Sequence, residues 1–116
     1  MKVSFEGIGE QIVTFLNNQT NGASAGDMVC LSGNGEVKAA AADAMFAGVC
    51  VGGDEEYAAV QLQGVVTRGY TGTTAPTVGY VKLAAAAGGK VSVGDTGREY
   101  LVLAVDTTAK NVTFVL

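Results

Sequence analysis

The chain has 116 residues, 48% of them hydrophobic and only 16% charged, which gives one domain of ordinary size and excludes intrinsic disorder. Seven basic against eleven acidic residues leave a net charge of −4, the wrong sign for a protein whose main task is gripping nucleic acid. His is absent, which removes Ser-His and Cys-His nucleophile pairs and every zinc site that needs imidazole.

Residues 1–10 begin Met1-Lys2-Val3-Ser4-Phe5-Glu6, with no apolar run or cleavage signature, so no secretory leader is expected. Val3, Phe5 and Ile8 are β-capable apolar residues outside the main succession of strands. They suit an arm laid onto a neighbour, or else a first strand of the fold itself. No stretch approaches the 18 apolar residues of a membrane span.

Gly supplies 17 residues, about twice usual usage, and punctuates short β-rich runs. Gln11–Leu16 predicts the first strand, and the polar segment from Asn17 to Gly26 a loop. Asp27–Leu31, the turn Gly33-Asn34-Gly35 and Glu36–Ala39 form a predicted hairpin, because Asn-Gly between β-capable runs is the strongest short hairpin signal in a sequence. Phe46–Val51 predicts a buried strand, Gly52–Glu56 a turn, and Tyr57–Thr67 a returning strand with period-2 alternation. Thr71–Thr77, with Pro76, reads as a loop. Gly79–Leu83, Lys90–Val93, Tyr100–Val105 and Val112–Leu116 complete about nine strands. Ala39–Ala42 and Ala84–Ala87 favour helix by propensity but are too short to nucleate one, although Ala39–Met45 fits a single helical turn. The expectation is an all-β, Gly-rich barrel or sandwich over residues 11–116, with little or no helix.

Cys30 and Cys50 each sit in an apolar run and are expected as reduced core thiols. The sequons at Asn18 and Asn111 lack a secretory route and read as chance. Asp95-Thr96-Gly97 spells the aspartic-protease triplet. It stands near the end of the sequence without the preceding apolar strand that chemistry needs, so a surface turn is expected. Asp54-Glu55-Glu56 lacks the alternating ligands of a calcium loop and reads as a charged hairpin tip. Neither Gly33-Asn34-Gly35 nor Gly88-Gly89 matches a phosphate-cradling loop. Arg68, Tyr70 and Tyr80 could form an aromatic-basic patch, although a nucleic-acid platform would add more Lys and Arg. No catalytic, cofactor or metal set emerges. What remains is a surface poor in charge, whose apolar patches would mark partner contacts.

In order and spacing, several strings together resemble the capsid decoration (cement) proteins of tailed phages and prophages. They are Gly26-Asp27-Met28-Val29, Gly35-Glu36-Val37, Phe46-Ala47-Gly48-Val49 and Ala59–Thr67. Tyr70–Tyr80 and Gly97–Thr108 continue the similarity, which runs from about Phe5 to Leu116. The resemblance implies a non-enzymatic β-barrel that binds the outside of the expanded head, usually as a homotrimer at three-fold or quasi-three-fold sites. It implies the major capsid protein as partner, no cofactor, no nucleic acid or membrane, and a place on the virion exterior after synthesis in the host cytoplasm. The family carries no catalytic motif to transfer. The expected contact residues are Val3, Phe5 and Ile8 in the arm, and Arg68, Tyr70, Pro76 and Tyr80 around the central loop. Two alternatives are a carbohydrate- or peptide-binding barrel using Tyr57, Tyr70 and Tyr80, and another virion part such as a tail-tube or head-completion subunit.

Overall fold

The computed structural model describes residues 10–116, so the arm positions Val3, Phe5 and Ile8 lie outside the described residues. Ten strands follow in order: β1 (Gln11–Asn17), β2 (Met28–Gly33), β3 (Glu36–Ala39), β4 (Gly48–Gly53) and β5 (Tyr57–Gln63) come first. After them run β6 (Val65–Thr71), β7 (Gly79–Ala86), β8 (Lys90–Val93), β9 (Arg98–Asp106) and β10 (Asn111–Val115). One 3-10 turn at Ala87–Gly89 joins β7 to β8. The fold is all-β, built from short strands and Gly-rich turns.

Among the described residues the strands close as two five-stranded barrels, where the sequence predicts one. The first runs β1-β3-β2-β4-β5 and the second β6-β8-β7-β9-β10. The division falls at Gly64, inside the segment Tyr57–Thr67 that reads as a single strand. Gly64 has φ +108, and a Cβ there would lie 3.0 Å from the Gln61 side chain and 3.0 Å from that of Glu10. Only glycine meets both demands without strain, so the chain bends here and passes from one barrel to the other. The predicted alternation fails at the same place: Gln61 is buried although it reads as an outward residue.

The two barrels share one wiring. In each, the first strand pairs parallel with the third and antiparallel with the fifth. The remaining ladders are antiparallel: second with third, second with fourth, and fourth with fifth. Each fourth strand also skips one residue against the fifth, Val51 in the first barrel and Leu103 in the second. Such bulges sharpen the local twist and help a small sheet to close.

A barrel this narrow is filled by inward side chains alone. Ala23, Val29, Val37, Cys50, Ala58 and Val60 fill the first. Leu83, Val91, Tyr100, Val102, Val112 and Phe114 belong to the core of the second, which also takes in Met28, Phe46 and Val49 from the first half of the chain. Neighbours on β2 and β4 therefore go opposite ways: Val29 and Cys50 point into their own barrel, Met28 and Val49 toward the other one. Both cysteines are free thiols, Cys50 buried and Cys30 partly so.

The β3–β4 connection, Ala40–Ala47, makes no helical turn. Asp43 adopts a left-handed conformation at φ +67. The Asp43 amide donates to the Ala85 carbonyl at 2.9 Å, and the Ala85 amide donates to the Ala44 carbonyl at 2.9 Å. These bonds to β7 replace helical ones, and they carry Phe46 into the second barrel.

Candidate interaction surfaces

The sequence-predicted contact residues separate in the structure. Tyr70 is buried in the second core at 5% exposure, and Pro76 is buried as well. Neither offers a contact surface. Tyr70 is drawn inward because β6 alternates, and its phase puts Val66 and Tyr70 on the core side. Arg68 is half-buried and its charge is used inside the chain. Its Nε donates to the Gly89 carbonyl at 3.0 Å and its Nη2 to the Gly26 carbonyl. The guanidinium thus ties the β7–β8 turn of the second barrel to the entry of β2 in the first. Gly89, at φ +73, approaches so closely that a Cβ would collide with the Gly26 carbonyl.

Tyr80 is open, at 70% exposure, next to Val78, also at 70%. Ladder pairing extends this apolar spot into a row. Tyr80 faces Leu101, Leu101 faces Val115, and Val115 faces Val65. Directly opposed residues share a face, with Cβ atoms about 5 Å apart. The alternate positions Tyr100, Val102 and Phe114 point inward, so the row lies on the outer wall of the second barrel. Beside it Lys82 opposes Glu99 across the ladder, an exposed pair of opposite sign.

A second apolar strip lies on the first barrel. Ile12 and Leu16, 52% and 48% exposed, alternate outward along β1, and Leu16 pairs directly with Tyr57, itself half-exposed. The sequence does not single out Ile12 and Leu16, because a strand with alternating apolar residues on both faces does not reveal which face is inside. Tyr57 and Tyr80 stand on different barrels and Tyr70 is buried, so the three do not form one stacking platform for a sugar.

The acidic tip at Asp54 is a self-contained turn. Its carboxylate accepts from the Glu56 and Tyr57 amides at 2.9 and 3.0 Å, which hold its pKa below the usual aspartate value. It borders a polar cleft of about 620 Å³ between loop 17–25 and the β4–β5 hairpin. At the cleft, Asn17 Nδ2 donates to the Ala23 and Asp54 carbonyls at 3.0 and 2.9 Å, while its Oδ1 accepts from the Ala23 amide at 2.8 Å. These bonds hold the loops together and use both Asn17 Nδ2 hydrogens within the chain. Asp95 lies exposed in the short turn Gly94–Gly97 between β8 and β9. Among the described residues no three His, Cys, Asp or Glu side chains converge as metal ligands.

Comparison of the chain with protein-family models, with curated proteins and with solved structures finds no match in any of the three.

Proposed function

We propose that this chain is a non-enzymatic capsid decoration protein, which binds the outer surface of a phage head as a homotrimer and stabilises the mature shell. The reading starts from the ordered strings between Phe5 and Leu116 that resemble this family. The observation that carries it further is the pair of exposed apolar strips, around Tyr80 and around Ile12–Leu16, on a scaffold otherwise fixed by its own hydrogen bonds. Such strips act by being covered, and covering them yields binding energy in proportion to the apolar area removed from water.

In this account the major capsid protein is the partner, and the segment Gly72–Thr77, exposed except at Pro76, is the contact with the shell. A trimer repeats each weak contact three times, so avidity multiplies affinity. A protein that binds the mature lattice and not its precursor stabilises the mature form by linkage. The test is co-sedimentation of purified protein with undecorated mature heads and with precursor shells. Binding to mature heads, with a raised melting temperature of the shell, is the expected result. Protein left wholly in the supernatant overturns the reading.

A further inference from the structure

Two Asn-Gly steps occur in the chain, Asn21-Gly22 and Asn34-Gly35. In such a step the glycine nitrogen can attack the asparagine side-chain carbon, because glycine has no Cβ to crowd the approach. Attack requires the two atoms in contact and aligned, so the peptide between the residues must be free to turn. The fold holds one of the two steps and leaves the other open.

At Asn21-Gly22 the chain is held on both sides. The Asn21 amide donates to Asn18 Oδ1 at 2.8 Å, and the Asn21 carbonyl accepts from the Ala39 amide at 3.0 Å. The next amide, that of Ala23, donates to Asn17 Oδ1 at 2.8 Å. Gly22 is also crowded, since a Cβ there would lie 2.8 Å from the Asn18 carbonyl oxygen. Turning this peptide breaks the Ala39 bond.

Asn34-Gly35 forms the tip of the β2–β3 hairpin, with both residues exposed. A Cβ on Gly35 would meet nothing within 4 Å. Outside the ladders, no backbone hydrogen bond among the described residues involves the Asn34 carbonyl or the Gly35 amide. The bond that does reach the tip is at the next peptide, where the Gly35 carbonyl accepts from the Leu16 amide at 2.8 Å. The Asn34–Gly35 peptide can therefore turn without losing a partner.

We infer that Asn34 is a site of spontaneous conversion to aspartate and isoaspartate, and that the fold protects Asn21 from the same chemistry. The Gly35 nitrogen gives its proton to solvent base and bonds to Asn34 Cγ. The Cγ–Nδ2 bond breaks, and Nδ2 takes up a proton and leaves as ammonia. One water then opens the five-membered imide. Opening at Cγ leaves aspartate in a normal main chain, while opening at the main-chain carbonyl routes the chain through Cβ and Cγ. Either product adds a negative charge to a chain already at −4.

The isoaspartyl product acts beyond the tip. It lengthens the main chain by one carbon, about 1.5 Å, immediately before Gly35. The Gly35 carbonyl is thereby displaced from the Leu16 amide. That bond borders the β1–β3 seam, whose ladder consists of Leu16↔Glu36 and Asn17↔Val37. Ageing at Asn34 thus loosens the closure of the first barrel.

The test holds the full chain in warm, mildly alkaline buffer and follows both Asn-Gly steps by peptide mass mapping, with isoaspartyl methyltransferase labelling to read the isoaspartate. In the folded chain Asn34 should convert roughly tenfold faster than Asn21, the effect of about one hydrogen bond on a barrier. In urea the two rates should converge. An unconverted Asn34, or Asn21 converting as fast in the folded chain, overturns the inference. Asn34→Gln, with Asn34→Ser as a second variant, should abolish the label. Hydrogen exchange should show the Leu16 amide losing protection in the aged parent and keeping it in the aged variants. Unchanged Leu16 protection in isoaspartyl protein would overturn the effect on the seam.

Discussion

The Tyr100 hydroxyl donates to the Phe46 carbonyl at 2.8 Å while the two rings stack with centroids 5.0 Å apart and planes 9° from parallel. Phe46 comes from the connection between β3 and β4, and Tyr100 lies inside the second barrel. Phe114 completes the cluster, edge-on to Phe46 at 6.2 Å and tilted to Tyr100 at 5.3 Å. The Arg98 guanidinium lies over the Tyr100 ring, 5.1 Å from its centroid. The second barrel is therefore completed by a residue belonging in sequence to the first half of the chain.

Loss of that residue should damage the second barrel more than the first. Phe46→Ala empties a ring-sized site and should cost about 3–5 kcal/mol. Tyr100→Phe keeps the ring but leaves a buried carbonyl unpaired, for about 1–3 kcal/mol. Urea unfolding measures both. Native-state hydrogen exchange should show β9 and β10 amides losing protection ahead of β1 and β5. Equal loss in both barrels would refute the assignment of Phe46 to the second.

Arg68 should prove a structural clamp. Arg68→Met retains the apolar stem but abandons the Gly26 and Gly89 carbonyls, a loss of about 1.5–3 kcal/mol. Arg68→Lys should recover only part of it, because an ammonium lacks the planar fork that reaches two acceptors. Unfolding midpoints of the three proteins decide the order, and a lysine variant equal to the parent would contradict it.

Asn17 both donates and accepts, so Asn17→Ala leaves several buried backbone groups unpaired and should cost about 2–4 kcal/mol. Asn17→Asp tests the orientation. At neutral pH it sets a carboxylate against the Ala23 and Asp54 carbonyls, which favours the protonated acid and raises its folded pKa. Stability of this variant is then greatest in acid and is lost as pH rises through that value. Melting temperature from pH 3 to 7, compared with the parent, gives the sign directly.

The alkaline limb has a defined cause. Burial pushes the Tyr100 phenol above its ordinary value of 10.0, against an opposing pull from Arg98. Burial likewise raises the Cys50 thiol above 9.0, outweighing an opposing backbone hydrogen bond at Gly52 and reinforced by the charge of Asp27. In both cases the unfolded chain releases its proton first. Their contribution is complete below pH 9 and is lost as pH climbs through the folded values. Stability should fall from about pH 9 upward, and Tyr100→Phe should flatten the part above pH 10. A slope unchanged by Tyr100→Phe would assign the alkaline loss elsewhere.

Local chemistry makes much of this fold legible in the sequence. The Asn34-Gly35 turn, with Gly35 at φ +66, sits where the hairpin signal puts it, and the polar segment from Asn18 to Gly26 is a loop. Two features stay hidden for physical reasons. Gly64 falls in phase with Val60, Leu62 and Val66, so a change of barrel looks like one more residue of an alternating strand. The duplicated wiring hides because matched sites hold unlike residues: Met28 stands for Tyr80, Val60 for Phe114, Ala58 for Val112. Strand pairing conserves which positions oppose each other and tolerates different side chains there. The contact surface is the least legible part. Arg68 and Tyr70 have the chemistry of a binding patch, but the register of β6 directs both into the molecule, while plain Ile12 and Leu16 remain outside.

The bend at Gly64 also brings distant parts of the chain together. The Leu116 amide donates to the Gly64 carbonyl at 2.9 Å, and Glu10 lies against the same glycine from the other side. The path is a figure of eight, with both loops returning to their crossing. A chain opened at Gly64, with Leu116 joined to Glu10, would list the second barrel before the first and keep every described ladder of both barrels. Such a permuted chain is expected to fold to the same two barrels, which its melting transition would check.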